Sequence, residues 1–182
     1  MVRCTTARVD LNALESNFKA IGAYLAHESG LNRAAGRGGP AIPPSIIAVV
    51  KANAYGHGAR RVAATLEAAG ANMLAVADIE EGVDLRKAGI KAPILIFGAL
   101  SVSDLDGVFD FDLTPTISSP AAGQALQAGA AKRGATLRYH LKIDTGMNRL
   151  GFRHDNLRRT LPDLLASANL ALDAVHTHFG TA

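Results

Sequence analysis

From residue 46 onward the chain alternates short apolar runs, rich in Ile, Val and Leu, with segments of helical period, and the joins between them are short. The pattern predicts strands over 46–51, 73–77, 94–97, 113–117, 136–143 and 170–176, and helices over 59–69, 79–88, 103–109, 120–133 and 156–168. Strands of such continuous apolar character, each neighboured by a helix, call for a parallel sheet with its faces covered. Two α/β architectures satisfy that demand, a doubly wound open sheet and a (β/α)8 barrel. No Gly-x-Gly-x-x-Gly opens a helix, since Gly56-His57-Gly58 runs on into Ala59, Arg60 and Arg61. The reactive residues fall at strand ends: Lys51 at the first, Lys142 and Asp144 at the fifth, His176 and His178 at the sixth. A barrel gathers the carboxyl ends of all its strands around one mouth, where these groups converge, whereas an open sheet leaves some of them far apart. The expected fold is therefore an incomplete (β/α)8 TIM-type barrel of about six β/α units, because closure takes eight strands and typically about 250 residues.

Ahead of the first strand, Leu11, Leu14, Phe18, Ile21 and Leu25 mark one face of an amphipathic helix that Asp10 can cap. Residues 28–45 lose this period and read as a surface loop, and the Gly-Arg-Gly-Gly-Pro run from Gly36 to Pro40 lacks phosphate-loop spacing. Further boundaries have their own chemistry. Asp78 with Glu81 forms a capping-box pattern, Gly70, Gly89 and Gly134 stand where helices end, and Ser119-Pro120 is a cap followed by proline at the first helical position. Pro162 is expected to kink the last helix or to start it anew.

A chain of 182 residues suits one domain, and 48% hydrophobic with 19% charged residues suits a folded one. The net charge of +3 is scattered and aromatic residues are few, so no nucleic-acid-binding stripe is formed. Cys4 stands alone, no signal-like segment opens the chain, and no apolar run approaches the roughly 18 residues of a membrane span. The default expectation is a cytoplasmic protein with no membrane or nucleic-acid partner.

Three groups of residues carry possible chemistry. Lys51, followed by Tyr55, Gly56, His57 and Gly58, sits where strand gives way to loop. A desolvated lysine there can form an imine with a carbonyl compound or pyridoxal phosphate, with Tyr55 and glycine amides donating to a phosphate; a salt-bridged lysine beside turn glycines is the alternative. In the run from Lys142 to Gly151, Arg149 can grip a carboxylate or phenolate, or pair structurally with Asp144. His176 and His178, two apart on a strand, face one side. That spacing occurs in metal sites, but no third ligand is evident; stacking on a flat cofactor or a place in the core are the other readings.

Taken together, Val49-Val50-Lys51-Ala52-Asn53-Ala54-Tyr55-Gly56-His57-Gly58, Lys142-Ile143-Asp144-Thr145-Gly146-Met147-Asn148-Arg149-Leu150-Gly151 and His176-Thr177-His178-Phe179 resemble the alanine racemase family over nearly the whole chain, from about Val9. The resemblance implies a pyridoxal 5'-phosphate enzyme that interconverts L-alanine and D-alanine for peptidoglycan. Residues 1–182 would form a partial N-terminal cofactor-binding barrel without the C-terminal β-domain, which in the family completes a homodimeric site. By resemblance, Lys51 carries the cofactor and serves as one acid/base group, and Tyr55 touches the phosphate. Arg149 faces the cofactor's phenolic oxygen and the substrate carboxylate, and His178 stacks on the pyridine ring. Lys142, often carbamylated in the family, positions Arg149, with Asp144 in support. The family's second base belongs to the missing part, so these residues alone are expected to have weak activity or none. A non-catalytic pyridoxal-phosphate barrel protein and an inactive gene fragment are the alternatives.

Overall fold

The computed structural model describes residues 5–36, 43–101 and 105–181. Cys4, most of the Gly36 to Pro40 run and the expected start of the 103–109 helix lie outside them. The chain opens with α1 (Leu11–Ala34), where Asp10 accepts from the amides of Asn12 and Ala13. Leu11, Leu14 and Phe18 pack on the first core, but Ile21 stays 53% exposed. The helix runs on through residues expected to be loop, with the Ser29 hydroxyl donating to the Leu25 carbonyl at 2.8 Å.

Six strands then form a parallel ladder in strict chain order: β1 (Ile47–Val49), β2 (Met73–Val76), β3 (Ile94–Ile96), β4 (Thr114–Ile117), β5 (Leu137–Asp144) and β7 (Leu170–His176). A doubly wound sheet reverses its strand order once; this one never does, which is barrel topology. The two-residue β6 (Phe152–Arg153) pairs with the end of β5 and was not expected from the sequence, since two residues carry no periodicity. Between Leu172 and Ala174, Asp173 is an extra residue against β5, a bulge opposite Tyr139 and His140.

The helices follow the expected rhythm: α3 (Ala59–Ala68), α4 (Ile79–Lys87), α5 (Asp106–Asp110) and α6 (Pro120–Lys132). Ser119 caps α6 with Pro120 in its first turn, and the left-handed Gly70, Gly89 and Gly134 follow their helices. The last helix is broken at Pro162 into α7 (Leu157–Thr160) and α8 (Pro162–Leu165), as a missing amide hydrogen requires. Two adjoining cores hold the layers together. One centres on Leu74, Leu85, Ile94 and Ile96, the other on Ile117, Leu126, Tyr139 and Leu141, and Ile79 packs against both. The strand residues among them face Leu85 of α4 and Leu126 of α6. The opposite face of the sheet, at Ile47 and Val49, is 42% exposed at each. Among the described residues no helix is long and apolar enough to cross a membrane.

Candidate active site

Lys51 is not the last residue of β1 but the first of a turn, α2 (Lys51–Tyr55), that winds the wrong way. Ala52, Asn53, Ala54 and Tyr55 all have φ between 50° and 54°. A left-handed conformation costs a non-glycine residue about 1–2 kcal/mol, so four in succession need an external reason to persist. Hydrogen bonds supply one. Ala54 N donates to the Val50 carbonyl at 2.8 Å, Gly58 N to the Asn53 carbonyl at 2.9 Å, and Ala59 N to Asn53 Oδ1 at 2.8 Å. The Glu81 carboxylate accepts from Ala52 N at 2.6 Å and from Ala77 N at 2.8 Å. The expected capping box is thus half made. Asp78 accepts from Glu81 N, while the Glu81 side chain ties together the ends of β1 and β2.

At the other end of the mouth, the loop after β5 is organised by Asp144. Its Oδ1 accepts from the amides of Gly146 and Asn148, both at 3.0 Å, and these bonds hold its carboxyl below the ordinary carboxylate range. Among the described residues no ion pair joins Asp144 to Arg149, so the structural pairing considered for them is not formed. Arg149 instead reaches the inner face of the sheet.

There it lines a cavity of about 540 Å³ with Lys51, Tyr55, Phe97, His140, Lys142, His176 and His178. All the strand-end residues expected to converge do so, apart from Asp144, which lines a neighbouring pocket of about 450 Å³ that Arg149 also borders. The register explains the grouping: Lys142 pairs with His176 across β5 and β7, and His140 stands two residues before Lys142 on the same face. Burial pushes the Lys142 ammonium down, the Arg149 charge pushes it further, and Asp144 only partly offsets both. His176 is lowered to about 4 by burial, then by Lys142 and His140, so its imidazole is neutral at neutral pH. His140 is itself lowered by burial, against the opposing pull of Asp173, whose carboxylate lies 3.6 Å from His140 Nε2. The two imidazole rings meet edge to face with centroids 6.0 Å apart. Below Lys51, Nζ lies 5.2 Å from the centroid of Phe97. His140 could have been found from the sequence by stepping back two residues from Lys142, whereas Phe97 and Asp173 could not, because both depend on which strands are neighbours.

Fold and mouth together define a parallel β/α barrel protein with an amine, a guanidinium and imidazoles gathered at the carboxyl ends of its strands. The family model for the alanine racemase N-terminal domain matches residues 9–182. The chain belongs to the alanine racemase family. It is 38% identical over 181 residues to an alanine racemase of Symbiobacterium thermophilum, covering 100% of this chain and 44% of that one. The solved alanine racemase of Bacillus anthracis with bound L-Ala-P superposes with a TM-score of 0.77 at 34% identity, over 95% of this chain and 41% of that chain. A histidine racemase of Leuconostoc mesenteroides subsp. sake gives 0.76 at 28% identity, over 93% and 41%. The chain thus spans less than half the length of each of these relatives.

Proposed function

We propose that this chain is the cofactor-holding barrel portion of a pyridoxal-phosphate-dependent amino-acid racemase that acts on alanine. The observation that carries the reading is the convergence, in one cavity, of Lys51, Tyr55, Arg149 and His178 from separate elements. Their chemistry suits the group: an amine for its aldehyde, a phenol to donate to its phosphate, a fixed cation for its phenolic oxygen and a flat ring for its face. When bound, pyridoxal phosphate supplies an electron sink for the charge left at an amino acid Cα after deprotonation.

The remaining work falls to the chain's residues. Lys51 would hold the cofactor through its amine, and its Nζ, once displaced by the amino group of the incoming substrate, would remove or return the Cα proton on one face. Arg149 orients the substrate through its carboxylate by paired charge-assisted hydrogen bonds. Lys142 sets the position of Arg149. Two adjacent cations repel, and an amine driven toward neutrality is the form that reacts with carbon dioxide, so the carbamylation brought by the resemblance would turn this repulsion into attraction. Asp144 supports both by shaping their loop.

Racemisation also needs a proton delivered to the opposite face, which the resemblance assigns to a tyrosine of a homodimer partner's β-domain. Residues 1–182 alone are accordingly expected to racemise alanine weakly or not at all; D/L-alanine exchange by this chain at rates typical of an intact enzyme would overturn that part. The homodimer and the role in peptidoglycan synthesis belong to the same proposal and rest on the family alone, and the cytoplasmic location is carried over as the default expectation.

The test is direct. Pyridoxal phosphate is added, visible absorbance is recorded, and the adduct is reduced with borohydride and mapped by mass spectrometry. Label confined to Lys51, with the visible band lost in Lys51→Ala, is the expected result. Label spread evenly over surface lysines, or a band unchanged in Lys51→Ala, sinks the reading.

A further inference from the structure

We propose that Glu81 is a positioning residue for Lys51, acting through the backbone from outside the cavity. Its side chain does not line the mouth; it borders a pocket on the helical side of the sheet, with Val50, Asn53 and Asp84. Yet one of its carboxylate oxygens accepts from Ala52 N, at 2.6 Å. That amide belongs to the peptide joining Lys51 to Ala52, so the bond fixes the plane on the carbonyl side of Lys51 and with it the direction of the side chain. The other oxygen accepts from Ala77 N at 2.8 Å, just past β2. The carboxylate is therefore a bridge between two strand ends, and the Lys51 backbone is held against β2 rather than against its own loop.

Three observations make this more than a helix cap. First, the capping of α4 is done by Asp78, whose side chain accepts from Glu81 N at 2.9 Å, leaving the Glu81 carboxylate free for Ala77 N just ahead of the helix and for the remote Ala52 N. Second, the turn it grips is the strained one, with four consecutive non-glycine residues at positive φ beginning at the very residue whose amide Glu81 binds. Strain of that kind persists only where surrounding contacts over-determine it. Third, the acceptor is a carboxylate that is itself half-buried, and hydrogen bonds to a charged acceptor are roughly twice as strong as neutral ones.

The inference deepens the cofactor reading and rests on it for its functional meaning, so the experiment has one arm that needs the cofactor and one that does not. Glu81→Gln keeps the shape but replaces one acceptor oxygen by an NH2 group, so only one of the two amides keeps its partner. In the cofactor-free arm, residue-resolved hydrogen exchange of the full chain is expected to show Ala52 or Ala77 exchanging about tenfold faster in the variant, the effect of losing one such bond. In the other, borohydride-trapped pyridoxal phosphate at Lys51 is expected to fall about tenfold at sub-saturating cofactor. Asp78→Ala, which weakens the same helix at its cap, is the control: its melting temperature drops while both readings stay within about twofold of the parent. Exchange at Ala52 and Ala77 unchanged in Glu81→Gln overturns the proposal. Equal losses in Asp78→Ala also overturn it, by reducing Glu81 to general helix stability. If the parent chain never labels at Lys51, the cofactor reading falls instead, and the exchange arm still decides whether Glu81 holds the turn.

Discussion

The two loops that build the mouth, 51–58 after β1 and 144–151 after β5, solve the same problem in opposite ways. Both must reverse the chain within a few residues and aim a cation into the cavity. The loop after β5 uses residues that tolerate the turn: Gly146 and Gly151 at φ 136° and 122°, Asn148 at 56°, and an aspartate at its start that bonds its own amides. It is locally self-sufficient. The loop after β1 uses Ala52, Asn53, Ala54 and Tyr55 in the left-handed region and relies on Glu81, an element away in space and about 30 positions on in sequence, to hold it. Strain sits beside the lysine, while the arginine rides on relaxed backbone. The difference teaches that a cation can be placed by residue choice alone or by a backbone conformation that a distant group enforces.

The sharpest way to break that contrast is Gly151→Ala. A Cβ there would stand 2.8 Å from Asp144 N and 3.0 Å from the Lys142 carbonyl oxygen, at φ +122°. The expected cost is on the order of 3 kcal/mol, or a melting temperature lower by roughly 6–12 °C. An unchanged melting temperature would show that the β5 loop has slack. The mirror experiment, Ala52→Gly, acts on an exposed residue of the strained turn. It is expected to stabilise the chain by about 0.5–1 kcal/mol, because relief of the left-handed penalty exceeds glycine's entropic cost. Destabilisation in a thermal melt would mean the turn carries no strain.

The smallest effect is expected from Asp144→Asn, and it is a matter of pH. The Asp144 carboxyl is held below its ordinary 3.8 by the amides of Gly146 and Asn148. A depressed folded-state value contributes stability that is present above the ordinary value and is lost as pH falls through the folded one. Melting temperatures followed from about pH 7 down to about pH 2 should therefore show a gap between the two proteins that closes at the acid end. A gap independent of pH would remove the carboxylate from the account of that loop.

Much of the architecture was legible in the sequence because it is local. Strand and helix alternate in the hydrophobic pattern, the caps at Asp10 and Ser119 and the break at Pro162 announce themselves, and barrel geometry then forces the strand-end residues together. The convergence of Lys51, Lys142, His176 and His178 on one cavity followed from that geometry, whereas Arg149 was brought to it by the resemblance alone. What stayed hidden depends on neighbours in space. Ala52-Asn53-Ala54-Tyr55 has no glycine to betray a left-handed turn, and the pattern of Asp78 and Glu81 suggests a closed capping box, whereas the carboxylate reaches across to β1. The continuation of α1 to Ala34 was masked because its last turns lose their apolar period while remaining helical.

The unbroken order of the ladder bears on how such a chain assembles during synthesis. Leaving aside the two-residue β6, each strand pairs with the one completed just before it, as Ile47 does with Met73, Thr116 with His140 and Leu137 with Leu170. Among the described residues, no strand pairs with one made much later. The sheet can therefore lengthen one β/α unit at a time as the polypeptide leaves the ribosome, with its newest strand always the template for the next. The Lys51 turn and its Glu81 brace, both within the first two units, are complete before the arginine loop has been translated.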